Sequence, residues 1–186
     1  MHRFDLNQIA ASPWKNGGGS TREIACWPPG AGMETFAWRI SVATIARDGP
    51  FSAFAGIDRQ IMLLDGDGVH LKGDGVDHRL EQRWQPFAFS GDTALACTLL
   101  GGISTDFNVM ARRGQWHARI AVVDEATTAG DCDAGLCMVL QGRWLADGAL
   151  LAPGQGLWWS ARQAAPLPLV PQGGDARLVR VRQQMA

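Results

Sequence analysis

Tyrosine does not occur in this 186-residue chain. Its absence removes a common acid–base group and a common hydrogen-bonding aromatic. Lysine is nearly missing too: of 17 Lys and Arg residues, only Lys15 and Lys72 are lysines. An arginine excess of this kind follows overall composition, so the number of arginines carries no function, whereas the place of an individual one can. The only histidines are His2, His70, His78 and His117, and no two are separated by a single residue. The cysteines are Cys26, Cys97, Cys132 and Cys137. Cys132 and Cys137 are spaced more widely than the paired ligands of a zinc ribbon, and no second pair stands nearby. No apolar run approaches the ~20 residues of a membrane span, and residues 1–14 lack the apolar stretch of a secretory leader. These absences predict a cytoplasmic chain with reduced thiols, no metal, no cofactor and no membrane partner. A net charge of −1 argues against a nucleic-acid partner. Any charge selectivity must therefore be local.

Apolar residues make up 46% of the chain and charged residues 19%, enough to build a core and too few charges for disorder. Short runs alternate polar and apolar between glycine-rich turns, and no stretch holds a helical period. Strands are predicted over residues 21–27, 36–46, 59–65, 68–72, 76–80, 87–89, 94–100, 107–111, 117–123, 136–140, 142–146, 156–161 and 177–183. Short helices are expected only near residues 5–11 and 124–129, the latter equally readable as loop. This pattern predicts an all-β barrel or sandwich. Ile61-Met62-Leu63-Leu64-Asp65-Gly66 resembles Cys137-Met138-Val139-Leu140-Gln141-Gly142. Each copy leads through a further strand to a proline turn, at Pro86 and at Pro153. Two fused barrels are expected, a first over residues 1–112 with the ligand pocket and a smaller second over 113–186.

Residues 38–45 alternate cleanly. Trp38, Ile40 and Val42 share one face, and Arg39, Ser41 and Ala43 share the other. If the polar face lines the interior, Arg39 is a buried guanidinium and needs an anion. It has two readings: an internal ion pair with Asp106, or a clamp for a ligand carboxylate, which its fork suits. Asp106, Asn108 and Met110 share a face on their own strand. Arg59 has the parity of Ile61 and Leu63 and reads as a second carboxylate clamp, or as a salt-bridge partner of Asp58 or Asp48. Residues 13–20 form a glycine-rich loop without the order of a P-loop. Within it Trp14 could cap a pocket and Lys15 attract negative charge; the alternative is a close-packed turn. Ser52, between Phe51 and Phe54, offers a hydroxyl but has no base beside it in sequence. Asp65, Asp67 and Asp74 lack the spacing of a calcium loop and read as turn formers.

Four segments together resemble the HutD/Ves family. They are Pro13-Trp14-Lys15-Asn16-Gly17-Gly18-Gly19-Ser20-Thr21-Arg22-Glu23-Ile24, Phe36-Ala37-Trp38-Arg39-Ile40-Ser41-Val42-Ala43, Asp48-Gly49-Pro50-Phe51-Ser52-Ala53-Phe54-Ala55-Gly56-Ile57-Asp58-Arg59 and Asp106-Phe107-Asn108-Val109-Met110. Ala55 stands where the family usually has proline. The resemblance implies a bicupin fold, RmlC-like, of two fused cupin-like jelly rolls. In HutD-type members it also implies a link to histidine utilisation through binding of an intermediate such as formylglutamate. Metal-dependent cupins use a His-x-His pair with a glutamate and a later histidine, and here only His70 lies in the corresponding stretch. The leading expectation is therefore a metal-free binder of a small carboxylate metabolite, regulatory in role. Its ligand set is Trp14, Lys15, Asn16, Arg39, Ser41, Phe51, Ser52, Arg59, Asp106, Asn108 and Met110. The alternative is a metal-free isomerase, epimerase or lyase, whose acid–base pair would have to come from His, Asp or Glu. A homodimer is an arrangement the sequence leaves open.

Overall fold

A computed structural model describes residues 1–186. It is all-β apart from one 3-10 turn at Leu6–Gln8. The chain divides into two compact units, Ala10–Gln115 and Met1–Ile9 with Trp116–Ala186. The first nine residues go with the second unit because the strand His2–Asp5 hydrogen-bonds to Gln155–Trp159. The expected division at 112/113 differs there, since a partner some 150 residues away leaves no local signature. The turn expected at residues 112–114 is present, with Gly114 at φ 74°.

The unit Ala10–Gln115 holds a six-stranded sheet in the order Ser12–Pro13, Gly19–Trp27, Trp38–Ile45, Ser104–Arg112, Ile57–Asp65, Pro86–Ser90. A four-stranded sheet runs Gly49–Phe51, Leu95–Leu99, Val69–Gly73, Val76–Leu80. The other unit has a five-stranded sheet, His2–Asp5, Gln155–Trp159, Ala134–Gln141, Arg177–Met185, Trp116–Val123, and a four-stranded one, Thr127–Ala129, Leu167–Pro171, Trp144–Ala146, Ala149–Leu151. The sheets are not closed barrels, which corrects that part of the expectation; paired antiparallel sheets of this kind form jelly rolls. Residues 127–129 form a strand and not a helix.

The β character follows from the chain itself. Trp38–Ile45 is rich in β-branched and aromatic residues, and its alternation puts every second side chain on one face. Asp147-Gly148 closes a two-residue hairpin between Trp144–Ala146 and Ala149–Leu151, with φ of 51° and 72°. That is the left-handed pair a primed turn requires. Nothing lies within 4 Å of a Cβ built on Gly148. Gly148→Ala is therefore expected to cost only the conformational penalty, about 1 kcal/mol, read as a lower denaturation midpoint at unchanged slope.

The repeat seen in the sequence recurs as topology. In one unit Ile57–Asp65 sits between Ser104–Arg112 and Pro86–Ser90; in the other Ala134–Gln141 sits between Arg177–Met185 and Gln155–Trp159. Arg59 pairs with Met110 and Phe89, and its counterpart Gly135 pairs with Arg182 and Trp159. The two interiors differ at this point. Trp159 and Trp144 are fully buried with Cys137, Val139 and Leu157, and a Cβ on Gly135 would come within 2.5 Å of the Trp159 ring. In the first unit the core of Ile45, Ile61, Leu63, Val69 and Leu71 fills only the far end of the interior. Each such side chain contributes roughly 1.5–3 kcal/mol by burial. The near end is left open.

Candidate functional site

The open end of the Ala10–Gln115 unit is a cavity of about 530 Å³. Its wall is set by register. Arg39, Met110 and Arg59 lie side by side on three neighbouring strands, followed by Ser41, Asn108 and Ile61, then Ala43, Asp106 and Leu63. Two arginines thus stand at the open end, and the rows below them turn aliphatic except at Ser41, Asn108 and Asp106. The polar face of Trp38–Ile45 is the inward one. Trp14, Lys15, Asn16, Arg39, Ser41, Phe51, Ser52, Arg59, Asn108 and Met110 all line the cavity. Asp106 is the exception: it is buried beneath the lining, 1% exposed.

Arg59 is 4% exposed. Its guanidinium lies 4.5, 5.0 and 5.2 Å from the ring centres of Phe51, Phe89 and Phe54, a cation–π cage. Nη1 donates to the Ser52 carbonyl at 2.9 Å, and Nε has no partner. None of the unit's salt bridges reaches it. The two carboxylates nearest in its segment are engaged elsewhere: Asp58 pairs with Arg113 at 2.7 Å, and Asp48 accepts the Leu99 N–H at 2.8 Å. Burial holds the Arg59 pKa down to about 10, against the opposing charge of Asp106.

Asp106 has the converse problem. Neither of its carboxyl oxygens completes a hydrogen bond; the Ala43 N–H on the neighbouring strand comes close without satisfying them. Burial pushes its pKa up to about 7, with Arg59 pulling the other way. The Oδ1 of Asn108 is also buried without a partner.

Asp106 is not the partner of Arg39, which corrects the internal-pair reading. Arg39 Nε donates to Glu23 Oε2 at 2.6 Å, and Nη1 approaches Ser41 Oγ at 3.4 Å. Glu23 pairs with Ser41 on the neighbouring strand, which sets it diagonally against Arg39. Glu23 lies inside the first quoted segment, yet nothing local marks it as the partner. Because the Glu23 side chain is 47% exposed, solvent screens much of the pair. Glu23→Gln is expected to lower stability by about 1 kcal/mol and to strengthen anion binding, since Arg39 then lacks an internal carboxylate. A denaturation midpoint and a titration read the two effects separately.

The rim follows from the glycine loop. Gly19 has to be glycine, because a Cβ there would run into the Thr44 carbonyl and the Trp14 ring. Trp14 is fixed by its Nε1 donating to Thr21 Oγ1 at 2.8 Å. The Asn16 side chain accepts the Gly18 N–H at 3.0 Å, so its carbonyl serves the turn. Met33, 47% exposed, lines the cavity from the loop before Trp38 and was missed in the sequence for want of any pattern there.

No histidine lines the cavity. His70 pairs with Asp77 across a hairpin at 2.6 Å, His78 stacks on Phe87, and His2 stacks on Trp158. No group of three or more His, Cys, Asp or Glu side chains is placed to hold a metal ion. Asp65 pairs with Arg83, and Asp67 accepts the Gly102 N–H at 2.8 Å, so both carboxylates are engaged within the protein. All four cysteines are free thiols. No helix is long and apolar enough to cross a membrane.

Comparison with known proteins gives a consistent result. The HutD family model matches residues 6–176. Protein Ves of Cronobacter sakazakii is 40% identical over 160 residues, covering 86% of this chain and 87% of that one. The solved structure of HutD from Pseudomonas fluorescens SBW25 superposes with a TM-score of 0.85 at 30% identity, covering 100% of this chain and 98% of that one. A cupin 2 conserved barrel domain protein from Leptotrichia buccalis, 11% identical with a TM-score of 0.60 over 97% of this chain and 95% of that one, shares the fold. The chain is a cupin-fold protein and belongs to the HutD/Ves family.

Proposed function

We propose that the cavity binds a small carboxylate metabolite and that the protein uses this binding to moderate histidine utilisation, with a formylglutamate-like acid as ligand. One observation carries the reading: Arg59 lines the cavity, is almost fully buried and has no ion-pair partner. A buried charge without a partner is costly, and an anion entering the cavity removes that cost. A planar guanidinium held against aromatic rings is oriented to offer a carboxylate two parallel hydrogen bonds. Lys15 at the rim adds attraction, and Trp14, Phe51 and Phe54 supply apolar walls around few polar groups, as in small-molecule sites. HutD membership supports the tie to histidine utilisation.

An acid–base enzyme is the weaker reading. It needs a donor and an acceptor within hydrogen-bond reach of the substrate. No histidine lines the cavity, and Asp106 lies beneath the lining.

A thermal-shift panel of histidine, urocanate, formylglutamate and glutamate tests the proposal. An acid that binds the folded state raises the melting temperature with concentration. At least one acid is expected to do so in the millimolar range or below. If none does, no small carboxylate of this class occupies the cavity.

A further inference from the structure

A second charge lies under the cavity, and the binding reading makes no use of it. Asp106 is sealed from solvent, its carboxyl has no completed hydrogen bond, and the only cation acting on it is Arg59. Arg59 in turn has no carboxylate in contact. In the empty protein the two are therefore each other's counter-charge at a distance.

The surroundings leave Asp106 no substitute. On the neighbouring strands it faces Ala43 and Leu63. Arg39 belongs to Glu23 and acts on Arg59 as a like charge. The Cys97 thiol, raised to about 12 by burial and by Asp106 and Asp48, stays neutral. Lys15 is exposed at the rim.

A carboxylate bound at Arg59 takes over the guanidinium. Asp106 then sits buried beside a second anion, with its one counter-charge shared. Of the two carboxylates, the one without hydrogen bonds is the one that neutralises.

Resting on the anion-binding reading, we infer that Asp106 is the proton acceptor of the site: capture of a ligand carboxylate by Arg59 is accompanied by uptake of a proton from solvent onto the Asp106 carboxyl. The balance is simple. One ligand carboxylate at Arg59 and one proton at Asp106 enter together, no covalent bond of the ligand changes, and these two charges cancel. Coupling of this kind is reciprocal, so pH sets affinity and ligand sets the protonation of Asp106. Affinity is flat at acid pH, where Asp106 already holds its proton. It falls by up to about tenfold per pH unit on the alkaline side of neutrality. The site therefore senses acidity and acid concentration together.

Titration calorimetry on the full chain tests this at pH 7.5–8, in two buffers of different ionisation enthalpy. The probes are formylglutamate and glutarate, whose own carboxyls are already ionised in that range and release nothing. Heat that differs between buffers by most of one proton taken up per ligand is the expected result. In Asp106→Asn the uptake should vanish, and affinity should become constant from pH 6 to 8.5. Binding with no net proton uptake in the unsubstituted protein overturns the inference and leaves the binding site standing. Uptake that persists in Asp106→Asn also overturns it, by placing the proton elsewhere. If neither acid binds at any pH, the anion-binding reading itself falls. The wild-type stoichiometry decides the matter even if Asp106→Asn does not fold.

Discussion

Arg59→Met is expected to remove the response to acids while the protein stays folded. Methionine keeps the unbranched bulk and the contact with Phe51, Phe54 and Phe89, where sulfur–aromatic contacts replace the cation–π cage. What it removes is the charge and its fork. A charge-assisted hydrogen bond contributes about 1.5–3 kcal/mol, so loss of a two-pronged contact weakens binding by roughly a hundredfold or more. The fold tolerates the change because Asp106 is neutralised once its counter-charge is gone. Arg59→Lys should not rescue, since an ammonium is a point charge with no parallel pair of donors. Arg39→Ala should be milder, nearer tenfold, because Glu23 already holds that guanidinium. Thermal shift and titration on the three variants give the ranking. A folded Arg59→Met that binds formylglutamate as the native chain does would remove Arg59 from the site.

Much of this site was legible in local pattern. Alternation in residues 38–45 was enough to group Arg39, Ser41 and Ala43, because strand geometry allows only two faces. Parity with Ile61 and Leu63 placed Arg59 inward. The matched strands 61–66 and 137–142 proved topologically equivalent. What stayed hidden depends on register and on distant partners. Glu23 reaches Arg39 because pairing with the next strand sets it opposite Ser41, two residues along from Arg39. His2–Asp5 is a strand because Gln155–Trp159 pairs with it. Leu167–Pro171 carries Pro168 and Pro171 within the strand, residues that argue against a strand when read alone. Only Gly135 and Trp159 together explain why the second unit's interior is filled where the first is open, and neither position is informative without the other.

Free protein should lose stability as pH rises from about 4 to 7, opposite to the usual carboxylate behaviour. A carboxyl whose folded pKa lies above its unfolded value binds more protons in the folded state between the two values, and rising pH then favours unfolding. For Asp106 the window runs from the ordinary value of 3.8 up to about 7. The cost grows across it to roughly 4 kcal/mol, reached once Asp106 is ionised in the folded state, a large fraction of the 5–15 kcal/mol typical of a folded chain. The depressed carboxyls act outside this range. Asp92, held near 2 by the Gly56 N–H and Arg113, supports stability that is lost only as pH falls below the ordinary carboxylate range. His78, lowered by partial burial, favours higher pH, but only below its ordinary value of 6.5. Maximum stability is therefore expected near pH 4–5. Urea melts at half-unit pH intervals, run without added acids, should trace this decline, and Asp106→Asn should flatten it. Melts whose midpoints rise from about pH 4 to 7 in the native chain would mean that Asp106 is satisfied in the folded state, and the uncompensated carboxyl beneath the cavity would have to be given up.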